Sequence, residues 1–187
     1  MAKRVYLFNE GSKEDRDLLG GKGANLCEMT NLGLPFPFGF IITTSTCREF
    51  FQAGNRLPNL LEQEYRVALD LIEKKMGTRF GDPDNPLLFS VRSGAPVSMP
   101  GMMNTILNLG MNDEITEGLA RKTSNPRFAY DSYRRFIQMF ADVVLDIDGR
   151  LFEGEITRYK DAHSKPLDTD MTAEDWQAVI ETFKSMA

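Results

Sequence analysis

A chain of 187 residues is long enough to bury a real core, as one domain or as two small lobes. Its hydrophobic and charged fractions, 42% and 26%, are those of a soluble protein, and a formal net charge of −5 excludes nucleic-acid binding through a broad basic face. No apolar run reaches membrane-spanning length, and the stretch from Met1 to Phe8 turns polar too early for a signal peptide. The two cysteines, Cys27 and Cys47, lack CxxC spacing and read as reduced thiols buried on helices, which points to the cytoplasm.

In chain order, Val5 to Phe8 predicts a strand, and residues 22–32 predict a helix stopped by Gly33. Pro35 to Gly39 forms a rigid connection into a buried strand at Phe40 to Thr43. Thr44 or Ser45 can cap a helix over 46–53, and a longer helix fits 58–76, with Leu60, Leu61, Tyr65, Ala68, Leu69 and Ile72 on one face. Strands are predicted at 87–92 and 105–109. Beyond residue 112 the pattern is helical, with segments at 112–121, 126–145, 150–162 and 173–186. The helix over 126–145 carries an apolar stripe of Ala129, Tyr133, Phe136, Ile137, Phe140, Val143 and Val144, and Pro126 suits its first turn. Residues 163–170 read as a polar loop. The composition shift near 110 predicts an α/β lobe over 1–111 and a helical lobe over 112–187, an α+β fold. The last pattern runs to Ala187 with no Gly, Pro or polar exit, as in a truncated chain.

Two stretches carry chemistry. Leu18-Leu19-Gly20-Gly21-Lys22-Gly23-Ala24-Asn25-Leu26 places glycines around one lysine just ahead of a helix. Glycines allow a sharp turn and close approach of a ligand, a helix start leaves N–H groups unpaired, and Lys22 adds charge there. Together they make a phosphate cradle; the alternative is a glycine-rich turn with Lys22 in solvent. A Walker A loop is excluded, because Gly23 stands where Ser or Thr would follow the lysine. In the second stretch, Ser90-Val91-Arg92-Ser93-Gly94 ends a strand and enters a Met-rich loop, Ser98-Met99-Pro100-Gly101-Met102-Met103-Asn104. The arginine fork suits phosphate, and a glycine-hinged loop of methionines can cover a ligand. The alternative pairs Arg92 with a local carboxylate and packs the methionines in a core.

These stretches, with Asn104 to Gly110 and the segment Asn125-Pro126-Arg127-Phe128-Ala129-Tyr130-Asp131-Ser132-Tyr133-Arg134-Arg135-Phe136-Ile137, resemble the front of the pyruvate, phosphate dikinase family. The resemblance runs in order through most of the chain. The Met-Pro-Gly-Met-Met and Tyr-Arg-Arg-Phe stretches favour the dikinase over phosphoenolpyruvate synthase, the related alternative.

The resemblance implies the N-terminal part of an ATP-grasp-like nucleotide-binding domain. The reaction it implies interconverts ATP, phosphate and pyruvate with AMP, pyrophosphate and phosphoenolpyruvate. Lys22 and Arg92 match the family's phosphate-contacting, catalytic residues. Gly21, Gly23, Gly101, Met102 and Met103 match the loops around the triphosphate, and Arg135 faces the site where inorganic phosphate is used. Mg²⁺ would accompany ATP, with its carboxylates, the adenine pocket, the phosphohistidine domain and the pyruvate-binding domain all beyond residue 187. The full enzyme would be a homodimer in the cytoplasm, and this part alone would be inactive. His163, the one histidine, is expected to be exposed and not catalytic.

Other charges have plainer expected roles. Asp131 with Arg134 and Arg135 reads as helical pairing on a solvated face. Asp142, Asp146, Asp148, Glu153 and Glu155 match no cation loop, so no metal site is assigned. Two other function classes remain open: a nucleotide-binding module without catalysis, and a helical interaction domain whose glycine loop merely turns.

Overall fold

The computed structural model describes residues 3–94 and 105–186, which form seven α-helices and two small antiparallel sheets. They fall into two compact units. One holds the described residues up to Gly77 with Ser93 and Gly94; the other holds Thr78–Arg92 and 105–186.

In the first unit β1 (Val5–Leu7) pairs antiparallel with β2 (Phe40–Ile42), Val5 opposite Ile42 and Leu7 opposite Phe40. Three helices complete it: α1 (Arg16–Asn31), α2 (Thr44–Gln52) and α3 (Leu61–Met76). Val5, Leu61 and Ala68 bury one another, with Leu7, Phe40 and Tyr65 against them. The helix expected from 58 starts only at Leu61, because Leu60 takes a left-handed φ of 69° that no helix interior admits. Gly77, at φ 64°, ends it as a left-handed cap. The cap of α2 is Thr43, and neither Thr44 nor Ser45 serves. Thr43 has the extended backbone that a cap requires, and its Oγ1 accepts from the Thr46 N–H at 3.3 Å. Thr43 and Thr46 are buried with their hydroxyls 2.8 Å apart. That pairing gives Thr46 the inward position and leaves Cys47 exposed, against the expectation of two buried thiols; Cys27 is fully buried.

The second unit opens with β3 (Phe89–Arg92) paired antiparallel with β4 (Thr105–Leu109), Arg92 opposite Thr105, with a register irregularity between Phe89 and Val91. Then follow α4 (Asp113–Thr123), α5 (Pro126–Val144), α6 (Gly149–Ala162) and α7 (Ala173–Met186), with a 3-10 turn at Asp168–Asp170. Asn112 and Asn125 cap α4 and α5 by accepting from Ile115 N at 2.8 Å and Phe128 N at 3.1 Å, and Pro126 occupies the first turn of α5. The core joins Ala141, Phe152, Ile156, Met171, Trp176, Val179 and Phe183. Phe152 meets Phe183 edge-on at 4.8 Å; burying such a ring contributes about 1.5–3 kcal/mol. Gly118 lets α4 approach the preceding loop, since a Cβ there would lie 1.6 Å from the Pro83 carbonyl oxygen.

On α5 the buried positions are Ala129, Tyr133, Arg134 and Ala141, while Val144, expected in the apolar stripe, is half exposed. The face turns because Trp176 of α7 packs beside Ala141 and Arg134. The boundary expected near residue 111 lies inside the second unit, because β4 packs on α5.

Candidate functional site

Lys22 sits just past a break in α1. The helix begins at Arg16, six residues before the expected start, because Asp15 organises the preceding turn: its Oδ2 accepts from Ser12 N at 2.8 Å and its carbonyl accepts from Leu19 N at 2.8 Å. At Gly20 the backbone leaves helical geometry, with φ 72° and ψ 161°, a region essentially closed to other residues. A second helical run starts at Gly21, so the expected glycine loop is a kink between two helical segments. A helix start leaves its first N–H groups without intrahelical acceptors and favours an anion.

Two contacts hold this kink in place. Gly23 is buried, and a Cβ there would meet the Ile41 side chain of β2 at 3.1 Å. The Thr44 hydroxyl donates to the Asp17 carbonyl at 2.5 Å, tying the start of α2 to the segment ahead of the break. Lys22 is half-buried and has no hydrogen-bond or ion-pair partner among the described residues. Its ammonium is not neutralised there, which is what an anion site requires.

Arg92 ends β3 and is exposed, again with no ion-pair partner among the described residues. Arg135 projects from α5 with 57% of its side chain exposed and its Nη2 3.1 Å from Asp131 Oδ2. Lys22 belongs to the first unit, Arg92 and Arg135 to the second. Gly101, Met102 and Met103 lie outside the described residues.

Sequence reasoning missed the surroundings of Asp131. Arg134, expected on a solvated face, is only 5% exposed. Its Nη2 lies 2.9 Å from Asp131 Oδ1 and 3.4 Å from Asp168 Oδ2, and its guanidinium covers the Trp176 ring at 4.4 Å. Arg127 of the same helix donates from Nε to the Met171 carbonyl at 2.7 Å and from Nη2 to the Asp168 carbonyl at 2.6 Å. Lys160 bonds the other Asp168 oxygen at 2.8 Å. That bond, against an opposing effect of burial and with help from the Lys160, Arg134 and Arg135 charges, holds the Asp168 carboxyl below its ordinary range. The available signal was the pair of consecutive arginines three and four residues past one aspartate, but the pattern does not say which arginine turns inward.

His163 is exposed, its ring stacked on Tyr159 at 4.0 Å and its Nδ1 2.8 Å from the Tyr159 carbonyl. Asp148 caps α6 by accepting from Arg150 N at 2.9 Å. Among the described residues no group of three or more His, Cys, Asp or Glu side chains could hold a metal ion. No helix among them is long and apolar enough to cross a membrane.

The family model described as pyruvate phosphate dikinase, AMP/ATP-binding domain, matches residues 16–70, which include the Gly20 break and Lys22. Pyruvate, phosphate dikinase of Clostridium symbiosum is 52% identical over 186 residues, 100% of this chain. The chain matches the N-terminal, ATP-binding part of pyruvate, phosphate dikinase. It spans 21% of the length of that relative, about a fifth. The Entamoeba histolytica dikinase is 48% identical over 181 residues, 97% of this chain and 20% of its own. A maize pyruvate, phosphate dikinase named as chloroplastic is 50% identical over 188 residues, 98% of this chain and 20% of its own. The dikinase family match covers Lys22, whereas Arg92 and Arg135 fall within the whole-length similarities only.

Proposed function

We propose that this chain is the nucleotide-binding front of a phosphotransferase that interconverts ATP, phosphate and pyruvate with AMP, pyrophosphate and phosphoenolpyruvate. The observation that carries this reading is Lys22, an ammonium without a carboxylate partner among the described residues, placed where a helix restarts after Gly20. Phosphoryl transfer asks a protein mainly to position the phosphates and to neutralise their charge. Lys22, the backbone of Gly21 and Gly23, and Arg92 would bind the triphosphate oxygens. Gly101, Met102 and Met103 would line the same ligand, and Arg135 would face inorganic phosphate.

The dikinase likeness supports an ATP-grasp-like fold for this chain. Mg²⁺ would travel with ATP; the described residues contain no group of three or more His, Cys, Asp or Glu side chains that could hold it apart from the nucleotide. The pyruvate-binding and phosphohistidine parts of the reaction belong to the rest of a dikinase, so this chain by itself carries out no turnover. Two free cysteines, Cys27 and Cys47, support a reducing compartment such as the cytoplasm, and a homodimer would form through parts of the dikinase outside this chain.

The test is made in the longer enzyme that carries this segment. Lys22→Met and Arg92→Leu are each expected to cut the ATP half-reaction by orders of magnitude while exchange between pyruvate and phosphoenolpyruvate continues. Equal loss in both half-reactions would trace the effect to a damaged fold and overturn the assignment.

A further inference from the structure

Asp131 is one carboxylate shared between two consecutive arginines. Its Oδ1 takes the Arg134 Nε–H at 2.9 Å, and its Oδ2 faces Arg135 Nη2 at 3.1 Å. The two arginines have opposite fates. Arg134 is buried and held on three sides, by Asp131, by Asp168 and by the Trp176 ring. Arg135 is more than half exposed. Asp131 therefore links a rigid anchor in the core to a cation at the surface.

Charge counting gives this link its direction. Arg127, Arg134, Arg135 and Lys160 all meet Asp131, Asp168 or the Asp168 carbonyl. Two carboxylates cannot neutralise four cations, so the cluster keeps a positive excess on a chain whose net charge is −5. The excess falls on Arg127, half-buried against the Met171 and Asp168 carbonyls, and on Arg135, more than half exposed; Arg134 is buried and Lys160 is turned to Asp168, so Arg135 is its more accessible end. One edge of the Arg135 guanidinium is engaged by Asp131, and its other N–H groups remain to receive an oxyanion in the planar, two-bond manner arginine favours.

We infer that Asp131 is a positioning residue, which orients Arg135 toward a phosphate-type anion through the Trp176–Arg134 anchor. This rests on the reading of Arg135 as a phosphate-facing residue. Asp131 itself touches no ligand: its negative charge would repel one, and its effect passes through the guanidinium it holds. A preoriented arginine loses less freedom when the anion binds, so removal of its holder weakens binding and leaves the chemical step nearly untouched.

Two measurements test this. In the longer enzyme, Asp131→Asn is expected to raise KM for inorganic phosphate by about tenfold with kcat within about twofold, and Asp131→Glu to restore most of the loss. Arg135→Leu separates the two ideas. If it leaves KM for phosphate unchanged, the phosphate-facing reading of Arg135 fails; if it raises KM while Asp131→Asn does not, the positioning role alone fails. The second measurement needs no variant that could misfold. In the 187-residue chain, arginine side-chain NMR is expected to show Arg135 as more ordered than Arg121, which is comparably exposed but has its Nη2 3.6 Å from Asp84. An Arg135 as mobile as Arg121 would overturn the proposal.

Discussion

The Arg134 guanidinium of α5 lies 4.4 Å above the Trp176 ring of α7, and this contact joins two helices through a buried cation. Trp176 is fully buried, so the stack is shielded from water and holds the cation more firmly than a surface contact would. Arg134→Met keeps much of the volume and removes both the stack and the bonds to Asp131 and Asp168. It is expected to cost about 2–3 kcal/mol, near the lower end for breaking a buried pair, because Asp131 retains Arg135 and Asp168 retains Lys160. Urea unfolding checks this; a loss below about 0.5 kcal/mol would reduce Arg134 to an ordinary surface charge.

Backbone geometry and phosphate chemistry separate cleanly along α1. Gly20→Ala forces a Cβ into the φ 72°, ψ 161° conformation and is expected to cost about 1–3 kcal/mol. Gly118→Ala, which drives a Cβ into the Pro83 carbonyl, is expected to cost at least as much. Lys22→Met removes a side chain with no partner among the described residues and is expected to change stability by less than about 0.5 kcal/mol. Thermal melts of the three variants give the comparison. A Lys22→Met variant as unstable as Gly20→Ala would make Lys22 structural.

On the proposed function, Lys22 and Arg92 supply only part of an ATP clamp, and the described residues hold no group of three or more His, Cys, Asp or Glu side chains for Mg²⁺. Titration calorimetry of the 187-residue chain with Mg-ATP is expected to show a Kd of about 1 mM or weaker, roughly 4 kcal/mol of binding free energy. Tight, magnesium-dependent binding would show that this segment holds a complete nucleotide site.

Acid stability should depend on Asp175, at the start of α7. Burial raises its pKa, but Lys165, the Thr172 N–H and hydroxyl, and the Tyr159 hydroxyl outweigh burial and hold it well below the usual carboxylate range. A carboxyl depressed on folding contributes its full stability above the unfolded value of about 3.9 and loses it as pH falls below that. Asp175→Asn is therefore expected to lower stability at neutral pH and to flatten the loss below about pH 4. At the alkaline end, burial first and the Asp113 charge second push Tyr133 up to about 12. Its contribution is present below about pH 10 and disappears as pH rises from about 10 through 12. Unfolding free energies across pH, with Tyr133→Phe as the alkaline control, check both limbs; an unchanged acid limb in Asp175→Asn would remove Asp175 from the account.

The sequence by itself determined the local elements and the types of residue that can meet a phosphate. Pro126 marks a helix start because its fixed backbone suits a first turn with no distant partner, and the apolar spacing over 126–145 and 173–186 is enough to place α5 and α7. Lys22 and Arg92 stand out for the same reason, since glycines and strand ends are local; Arg135 stands out only through the family resemblance, because its spacing from Asp131 reads as ordinary helical pairing. Tertiary structure alone decided which groups are buried and which are held. Asp131 is followed by arginines at both helical spacings, and only the packing of α7 and Asp168 against α5 turns Arg134 inward and leaves Arg135 at the surface. Similarly, Thr46 is buried and Cys47 exposed because the Thr43 hydroxyl pairs with Thr46, and Gly20 becomes a kink because the helix already starts at Arg16. Burial depends on what arrives from elsewhere in the chain, and no local pattern encodes that arrival.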